Sequence, residues 1–151
     1  NIAGFMSSYA IVKDEKLREE FFGYLTSNEY NAPTILAAEA ARAAYEESRE
    51  WRAGMLKYIE SNVEFVTEFL STNIPGIVPV RPQASFLIWL DCRGLHLDRA
   101  ELNDLFINRA RLALNDGEDF GKGGEGFMRL NVGCSRKLLE KALVRLRDAL
   151  L

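Results

Sequence analysis

The fold is decided by the run Phe127-Met128-Arg129-Leu130-Asn131-Val132, in which one arginine interrupts an apolar, strand-like segment. A charged side chain at such a place is costly unless it is paired. Two explanations are open. One is a buried salt bridge to a carboxylate of the protein itself. The other is a guanidinium at the floor of a pocket that binds a substrate carboxylate through two hydrogen bonds, for which arginine is better suited than lysine.

A glycine-rich loop at 115–126 leads into this run. It contains neither a GxGxxG pattern nor a lysine–Ser/Thr pair, and it precedes a strand rather than the N-terminus of a helix. We therefore interpret it as a tight turn in which glycine supplies positive φ. Its carboxylates, Asp116, Glu118 and Asp119, lack the spacing of a calcium loop and are expected on a solvated face.

The second half of the chain alternates short strands and helices. Besides the Arg129 strand, strands are expected at 77–80, 85–91 and 111–114, the middle one mostly buried because its apolar residues barely alternate. Asp98 is expected to cap a helix, and Ser135 a final amphipathic helix.

The first half is mostly helix-forming. A β-prone run at 8–12 precedes a helix capped by Asp14, and Pro33 suits the first turn of the next helix. A break is expected at 48–51, before a long helix that ends near Asn73. The predicted fold class is thus α/β, with long helices followed by a small αβ domain whose short sheet is covered by helices.

Composition narrows the classes of function. The 151 residues are 48% hydrophobic and 27% charged, as in ordinary globular proteins, and the net charge of −3 argues against a nucleic-acid partner. No apolar run has the length of a bilayer span, so no membrane association is expected and the predicted location is cytoplasmic. Cys92 and Cys134 are expected to be reduced thiols, and with His96 as the lone histidine no metal site is predicted.

Three stretches resemble a known family. The segment from Phe120 to Asn131 resembles the C-terminal signature of class I/II pyridoxal-phosphate (PLP) dependent aminotransferases. Asn1-Ile2-Ala3-Gly4, followed by Ser8-Tyr9, is similar to the segment after the cofactor-binding lysine in the MalY/PatB group of cystathionine β-lyases, or C–S lyases. The run 82–92 resembles the PxASYLxWLD strand of that group.

The resemblance implies PLP-dependent fold type I. Residues 1–31 would be the tail of the large PLP-binding domain, a strand plus a helix, and 32–151 the interdomain helix and small C-terminal domain. The Schiff-base lysine would lie just upstream of Asn1, so the chain is expected to be a fragment. In the family the arginine that Arg129 matches binds the substrate α-carboxylate.

The resemblance also implies an activity for the full-length protein. With PLP as cofactor, it would eliminate a thiol from cystathionine or cysteine, giving pyruvate and ammonia, and it would be a homodimer. An aminotransferase is the first alternative, and a non-catalytic, aminotransferase-like interaction domain of a regulator is the second. Met6 cannot donate to the cofactor phosphate, although the hydroxyls of Ser7 and Ser8 are near. The chain alone is expected to be inactive.

Overall fold

The computed structural model describes residues 2–30 and 34–151. The chain divides into two compact units, residues 1–53 and 54–151. The helices are α1 (Glu15–Ser27), α2 (Ile35–Glu46), α3 (Arg49–Asn73), α4 (Arg99–Asn103) and α5 (Arg136–Leu150); the strands are β1 (Val78–Val80), β2 (Leu87–Asp91), β3 (Asn115–Asp116) and β4 (Phe127–Asn131). Among the helices of the described residues, none is both long and apolar enough to cross a membrane.

In the first unit, α1 begins as predicted but the strand before it is absent. The Asp14 carboxylate accepts a hydrogen bond from the Leu17 backbone N–H at 2.8 Å, which caps the helix. Residues 8–12 are not paired with another strand, and Arg18 donates to the carbonyls of Val12 and Lys13 instead. The prediction of a strand at 8–12 is therefore wrong for this structure, because a strand needs a neighbour to complete its ladder.

The second helix of this unit has a cap that the sequence reading missed. Thr34 accepts from the Ala37 backbone N–H at 3.2 Å, so Thr34 is the N-cap of α2. The predicted position of Pro33 in the first turn lies outside the described residues. The break between α2 and α3 falls at Glu47–Ser48, at the edge of the predicted interval 48–51.

The second unit is built on a four-stranded antiparallel sheet with the order β1-β2-β4-β3. β1 is an edge strand, which explains why it accommodates Pro79, a residue without a backbone N–H. β4 pairs with β2 on one side and with β3 on the other, so Arg129 stands opposite Trp89 and Asn115.

One face of the sheet packs against the helices in the core, and the other face carries the side chain of Arg129. In both central strands, alternate residues are buried, so the expectation of a mostly buried β2 without alternation is wrong. The reason is that the second face of β2 is covered only in part, by aromatic side chains around Trp89. On the packed face, the sheet forms one core cluster with residues of α3, α4, the helical segment that directly follows α4, and α5. The sheet residues of this cluster are Ile88, Leu90, Met128 and Leu130.

Helix α4 shows both a successful and a failed prediction. Asp98 forms a capping box with Glu101, each side chain accepting from the other residue's backbone N–H at 2.9 Å. The helix continues as a π-helical segment over Asp104–Arg109. The predicted strand at 111–114 is wrong: Arg111 has a φ of +56°, and the Leu112 N–H donates back to the Phe106 carbonyl at 2.7 Å. This segment thus closes the helix instead of pairing with the sheet.

The start of α5 is held by α3. Ser135 is the N-cap residue as predicted, but its hydroxyl makes no capping hydrogen bond. The Arg136 backbone N–H instead donates to the Tyr58 hydroxyl at 2.7 Å. The wholly buried Asn62 donates to the carbonyls of Val132 and Cys134 at 2.9 and 3.0 Å. These bonds fix the chain between β4 and α5, and the predicted order of long helices before a helix-covered sheet is confirmed.

Candidate functional site

Arg129 lies on the open face of the sheet. Its neighbours in β4, Met128 and Leu130, point into the core, and the strand alternation therefore directs the Arg129 side chain away from it. Within 2–30 and 34–151, no carboxylate oxygen lies within 4.0 Å of its guanidinium nitrogens. The explanation by a buried salt bridge thus finds no counterpart among the described residues.

The guanidinium is oriented by two contacts. Nη2 donates to Asn115 Oδ1 at 2.9 Å, across the β3–β4 ladder. The guanidinium carbon lies 4.3 Å from the centroid of the Phe120 ring, a cation–π distance. Nε is buried and has no hydrogen-bond partner in the part of the chain that the structure describes. A buried donor without an acceptor is rare in folded proteins and needs an explanation, such as a functional role.

Phe120, which contacts this arginine, belongs to a cluster of three aromatic side chains. Trp89 packs edge-on against Phe120 and Phe127, with ring centroids at 5.5 and 5.9 Å. A cavity of about 210 Å³ opens beside them, lined by these three rings, Val80, Gly117 and residues 121–124 of the glycine loop. Arg129 does not line this cavity but contacts Phe120, which does.

The glycine loop has the tight geometry that was predicted for it. Gly121, Gly123 and Gly126 have φ values of +105°, +93° and +76°. Gly117 is packed so closely that a Cβ there would lie 2.2 Å from the Gly124 carbonyl oxygen. The loop thus doubles back on itself, and its 3-10 turn, Gly117–Phe120, carries the Phe120 ring to Arg129.

Asp116 is not solvated, contrary to the expectation for the loop carboxylates. Its side chain is only 15% exposed, and Oδ2 accepts from Arg99 Nε at 2.7 Å and from Asn103 Nδ2 at 3.0 Å. Oδ1 accepts from the Glu118 backbone N–H at 3.0 Å. Burial alone would raise the pKa of Asp116, but the hydrogen bonds from Asn103 and Arg99 outweigh it and lower that pKa.

The other residues considered for chemistry stand apart from Arg129. His96 is exposed and ends a 3-10 turn. Both cysteines are free; burial, with a smaller effect from the charge of Asp91, raises the pKa of Cys92 to about 12, and burial also raises the pKa of Cys134. A search of residues 2–30 and 34–151 finds no group of three or more His, Cys, Asp or Glu side chains that could hold a metal ion.

Similar proteins match the chain from end to end. It is 39% identical to cystathionine β-lyase PatB of Bacillus subtilis over 150 residues and 30% identical to protein MalY of Escherichia coli over 151 residues; each match covers 99% of the chain. Cystalysin from Treponema denticola, solved with PLP, superposes with a TM-score of 0.93 at 31% identity over 99% of the chain and 38% of cystalysin. The chain matches the C-terminal part of PatB/MalY-type enzymes. It spans 39% of the length of PatB and of MalY, and no family model matches it.

Aminotransferases also match the chain. A putative PLP-bound aminotransferase from Clostridium difficile 630 superposes with a TM-score of 0.94 at 33% identity over 99% of the chain and 39% of that protein. Aspartate aminotransferase of Pyrococcus abyssi is 30% identical over 125 residues, which is 80% of the chain and 32% of that enzyme. The match to PatB is therefore both longer and closer than this one.

The PLP found in cystalysin raises the question of which residues here could hold such a cofactor. Met6 is 91% exposed and carries no donor, and Ser7 and Ser8 are exposed hydroxyls. Arg129 has a buried Nε–H without a partner among the described residues. Next to Met6, Ser7 and Ser8 offer hydroxyl donors.

Sequence reasoning singled out Arg129 but not the two side chains that contact it, Asn115 and Phe120. The sequence analysis expected a strand at 111–114 and began the glycine-rich loop at Asn115. Asn115 was therefore left outside the strands, whereas the structure pairs it with Arg129.

Proposed function

We propose that the full-length protein is a PLP-dependent C–S β-lyase, which releases a thiol, pyruvate and ammonia from cystathionine or cysteine. The match to PatB, a cystathionine β-lyase, over 99% of the chain supports this proposal. When bound, PLP supplies an electron sink for the bond that breaks at the substrate Cα. The lysine that holds it would lie upstream of Asn1, so we expect the chain alone to be inactive.

We propose that Arg129 binds the α-carboxylate of the amino-acid substrate. The observation that carries this role is a guanidinium without a carboxylate partner among the described residues, whose Nε–H is buried and unsatisfied. A substrate carboxylate can accept hydrogen bonds from two nitrogens of one guanidinium at once, which fixes its orientation as well as its place. A carboxylate held in this way determines which bond at Cα is set for cleavage.

The neighbours of Arg129 have supporting roles in this proposal. Asn115 and Phe120 keep the guanidinium plane in one orientation, so little of its freedom is lost when substrate binds. Trp89 and Phe127 exclude water from one side of the carboxylate, which strengthens the charge-assisted hydrogen bonds.

We also propose that residues 1–31 belong to the large PLP-binding domain and 32–151 to the interdomain helix and small domain. In support, α1 has no buried residue, and its Leu17, Phe21 and Phe22 are 56%, 42% and 39% exposed. Such apolar side chains need a cover that a larger domain would provide. A cytoplasmic homodimer is part of the same proposal.

An aminotransferase remains the second candidate, because aspartate aminotransferase of Pyrococcus abyssi also matches the chain. The two are separated by supplying the full-length protein with cystathionine. The lyase forms pyruvate and a free thiol without any acceptor, whereas an aminotransferase needs a 2-oxo acid and leaves the C–S bond intact. Turnover that depends on a 2-oxo acid would overturn the lyase assignment.

The role of Arg129 is tested in the full-length protein with Arg129→Ala, with Arg129→Lys as the variant that keeps the charge. A hydrogen bond to a charged group contributes about 1.5–3 kcal/mol, so Arg129→Ala should raise KM roughly 10- to 150-fold. Lysine should recover only part of this, because it lacks the planar pair of donors. An unchanged KM in Arg129→Ala would refute the carboxylate role.

A further inference from the structure

We propose that Asp116 is a positioning residue for Arg129. It fixes the segment 115–120, whose first and last residues, Asn115 and Phe120, contact the substrate-binding guanidinium. This inference deepens the proposed function and rests on it. Asp116 itself is not among the contacts of Arg129, and its effect on substrate is therefore indirect.

Asp116 is attached to helix α4 by hydrogen bonds. Its carboxylate accepts from Arg99 and Asn103, which lie at the start and end of α4, and from the backbone N–H of Glu118. Three donors converge on this one side chain, of which only 15% is exposed. The junction between β3 and the 3-10 turn is thereby tied to a helix whose Leu102 is in the core.

This junction lies between the two residues whose side chains contact Arg129. Asn115, the residue before Asp116, accepts the hydrogen bond of Arg129 Nη2 at 2.9 Å. Phe120, four residues after Asp116, ends the 3-10 turn and stacks on the guanidinium at 4.3 Å. Asp116 thus lies between the two side chains that orient Arg129, and a shift of the junction displaces both.

Two loop carboxylates that follow Asp116 contact Arg99 and not Arg129. Arg99 forms an ion pair with Asp116 through Nε. Its Nη1 also lies 3.4 Å from Glu118 Oε2, and its Nη2 lies 3.7 Å from Asp119 Oδ1. Three acidic side chains of the loop, Asp116, Glu118 and Asp119, are thereby grouped around Arg99. None of the carboxylates in the described ranges forms an ion pair with Arg129, so its positive charge is available to an anionic ligand.

The test compares two substrates in the full-length enzyme: a thiol-releasing amino acid, and the corresponding amine without the α-carboxylate. The ratio of their kcat/KM values measures the use of the carboxylate and does not depend on how much enzyme is active. Asp116→Ala should lower this ratio by roughly tenfold, since displaced binding groups weaken orientation. Asp116→Asn keeps the size of the side chain and should lower this ratio by a smaller factor. It is the variant to use if Asp116→Ala does not fold.

Two controls separate the possible outcomes. Asp148→Asn removes an exposed aspartate–arginine pair of the same unit, with Arg147 at 2.7 Å, and should leave the ratio unchanged. In an Arg129→Ala background, Asp116→Ala should have no further effect, because it acts only through Arg129. If Arg129→Ala lowers the ratio and neither Asp116 variant does, the positioning role is overturned and the proposed function stands. If Arg129→Ala leaves the ratio unchanged, the carboxylate role of Arg129 fails and this inference fails with it.

Discussion

Asn62 is the buried polar side chain that fixes the end of the Arg129 strand, and its removal gives a sharp prediction for Asn62→Ala. Its Nδ2 donates to the carbonyls of Val132 and Cys134, and its Oδ1 accepts from Arg136 Nε at 3.0 Å. The side chain is wholly buried. Truncation therefore leaves two carbonyls and one guanidinium nitrogen without their partner.

The magnitude follows from the cost of unsatisfied groups. A buried acceptor that loses its donor costs about 1–3 kcal/mol, and the Cys134 bond is only part-buried, so we expect a loss of about 2–4 kcal/mol in all. Local opening of the segment 132–138 would then become roughly 30- to 700-fold more frequent. Hydrogen exchange of its amides, measured by mass spectrometry on the full-length protein, reports this directly.

The matched control lies on the same helix. Asn73 is exposed at the end of α3, and its amide donates to the Phe69 carbonyl at 2.8 Å. Asn73→Ala should change stability by less than about 1 kcal/mol and leave the exchange of 132–138 as in wild type. Exchange of 132–138 in Asn62→Ala at the wild-type rate would refute the reasoning.

Three further predictions concern the loop and the thiols. Gly117→Ala should destabilise the protein by about 1–3 kcal/mol, because its Cβ would lie 2.2 Å from a backbone carbonyl oxygen. Gly54 lies in α3 with open space around it, so Gly54→Ala should stabilise the protein by about 0.5–1 kcal/mol. Urea unfolding measures both free energies, and equal effects of the two substitutions would contradict the close packing of Gly117. The folded-state pKa of Asp116 lies below the ordinary value of 3.8. The Asp116 carboxylate therefore contributes fully to stability above about pH 3.8, and this contribution is lost as the pH falls through the lower, folded-state pKa. The stability difference between wild type and Asp116→Asn should thus shrink below about pH 4, and a difference that grows with acid would contradict this sign. Cys92, with a pKa of about 12, should resist a thiol reagent at pH 8 until the protein unfolds, and Cys134 should react before it; early labelling of Cys92 would contradict its burial.

Much of the fold was predictable because its signals are local. The Asp14 and Asp98 caps and the amphipathic pattern of α5 depend on residues within one or two helical turns, and the structure confirms them. The strand at 8–12 failed because pairing depends on a neighbour, which the run itself cannot specify. The strand at 111–114 failed because Arg111 takes a positive φ, which an arginine rarely adopts.

Of the candidate site, only the central residue could be singled out from the sequence. A lone arginine in an apolar strand is visible in the sequence, but the side chains that orient it are brought there by register. Asn115 reaches Arg129 through the β3–β4 ladder, and Asp116 is buried by Arg99, 17 residues before it in the chain. Contacts of this kind depend on which strand pairs with which, and hydrophobic patterning does not determine that.

The central claim is that Arg129 binds the substrate carboxylate of a PLP-dependent lyase. The most direct measurement is equilibrium binding of an amino acid to the full-length protein, wild type against Arg129→Ala, with the affinity for PLP determined on the same samples. We predict that the amino acid binds roughly 10- to 150-fold more weakly to the variant while PLP binds equally to both. Equal amino-acid affinities, or a loss confined to PLP, would contradict the account.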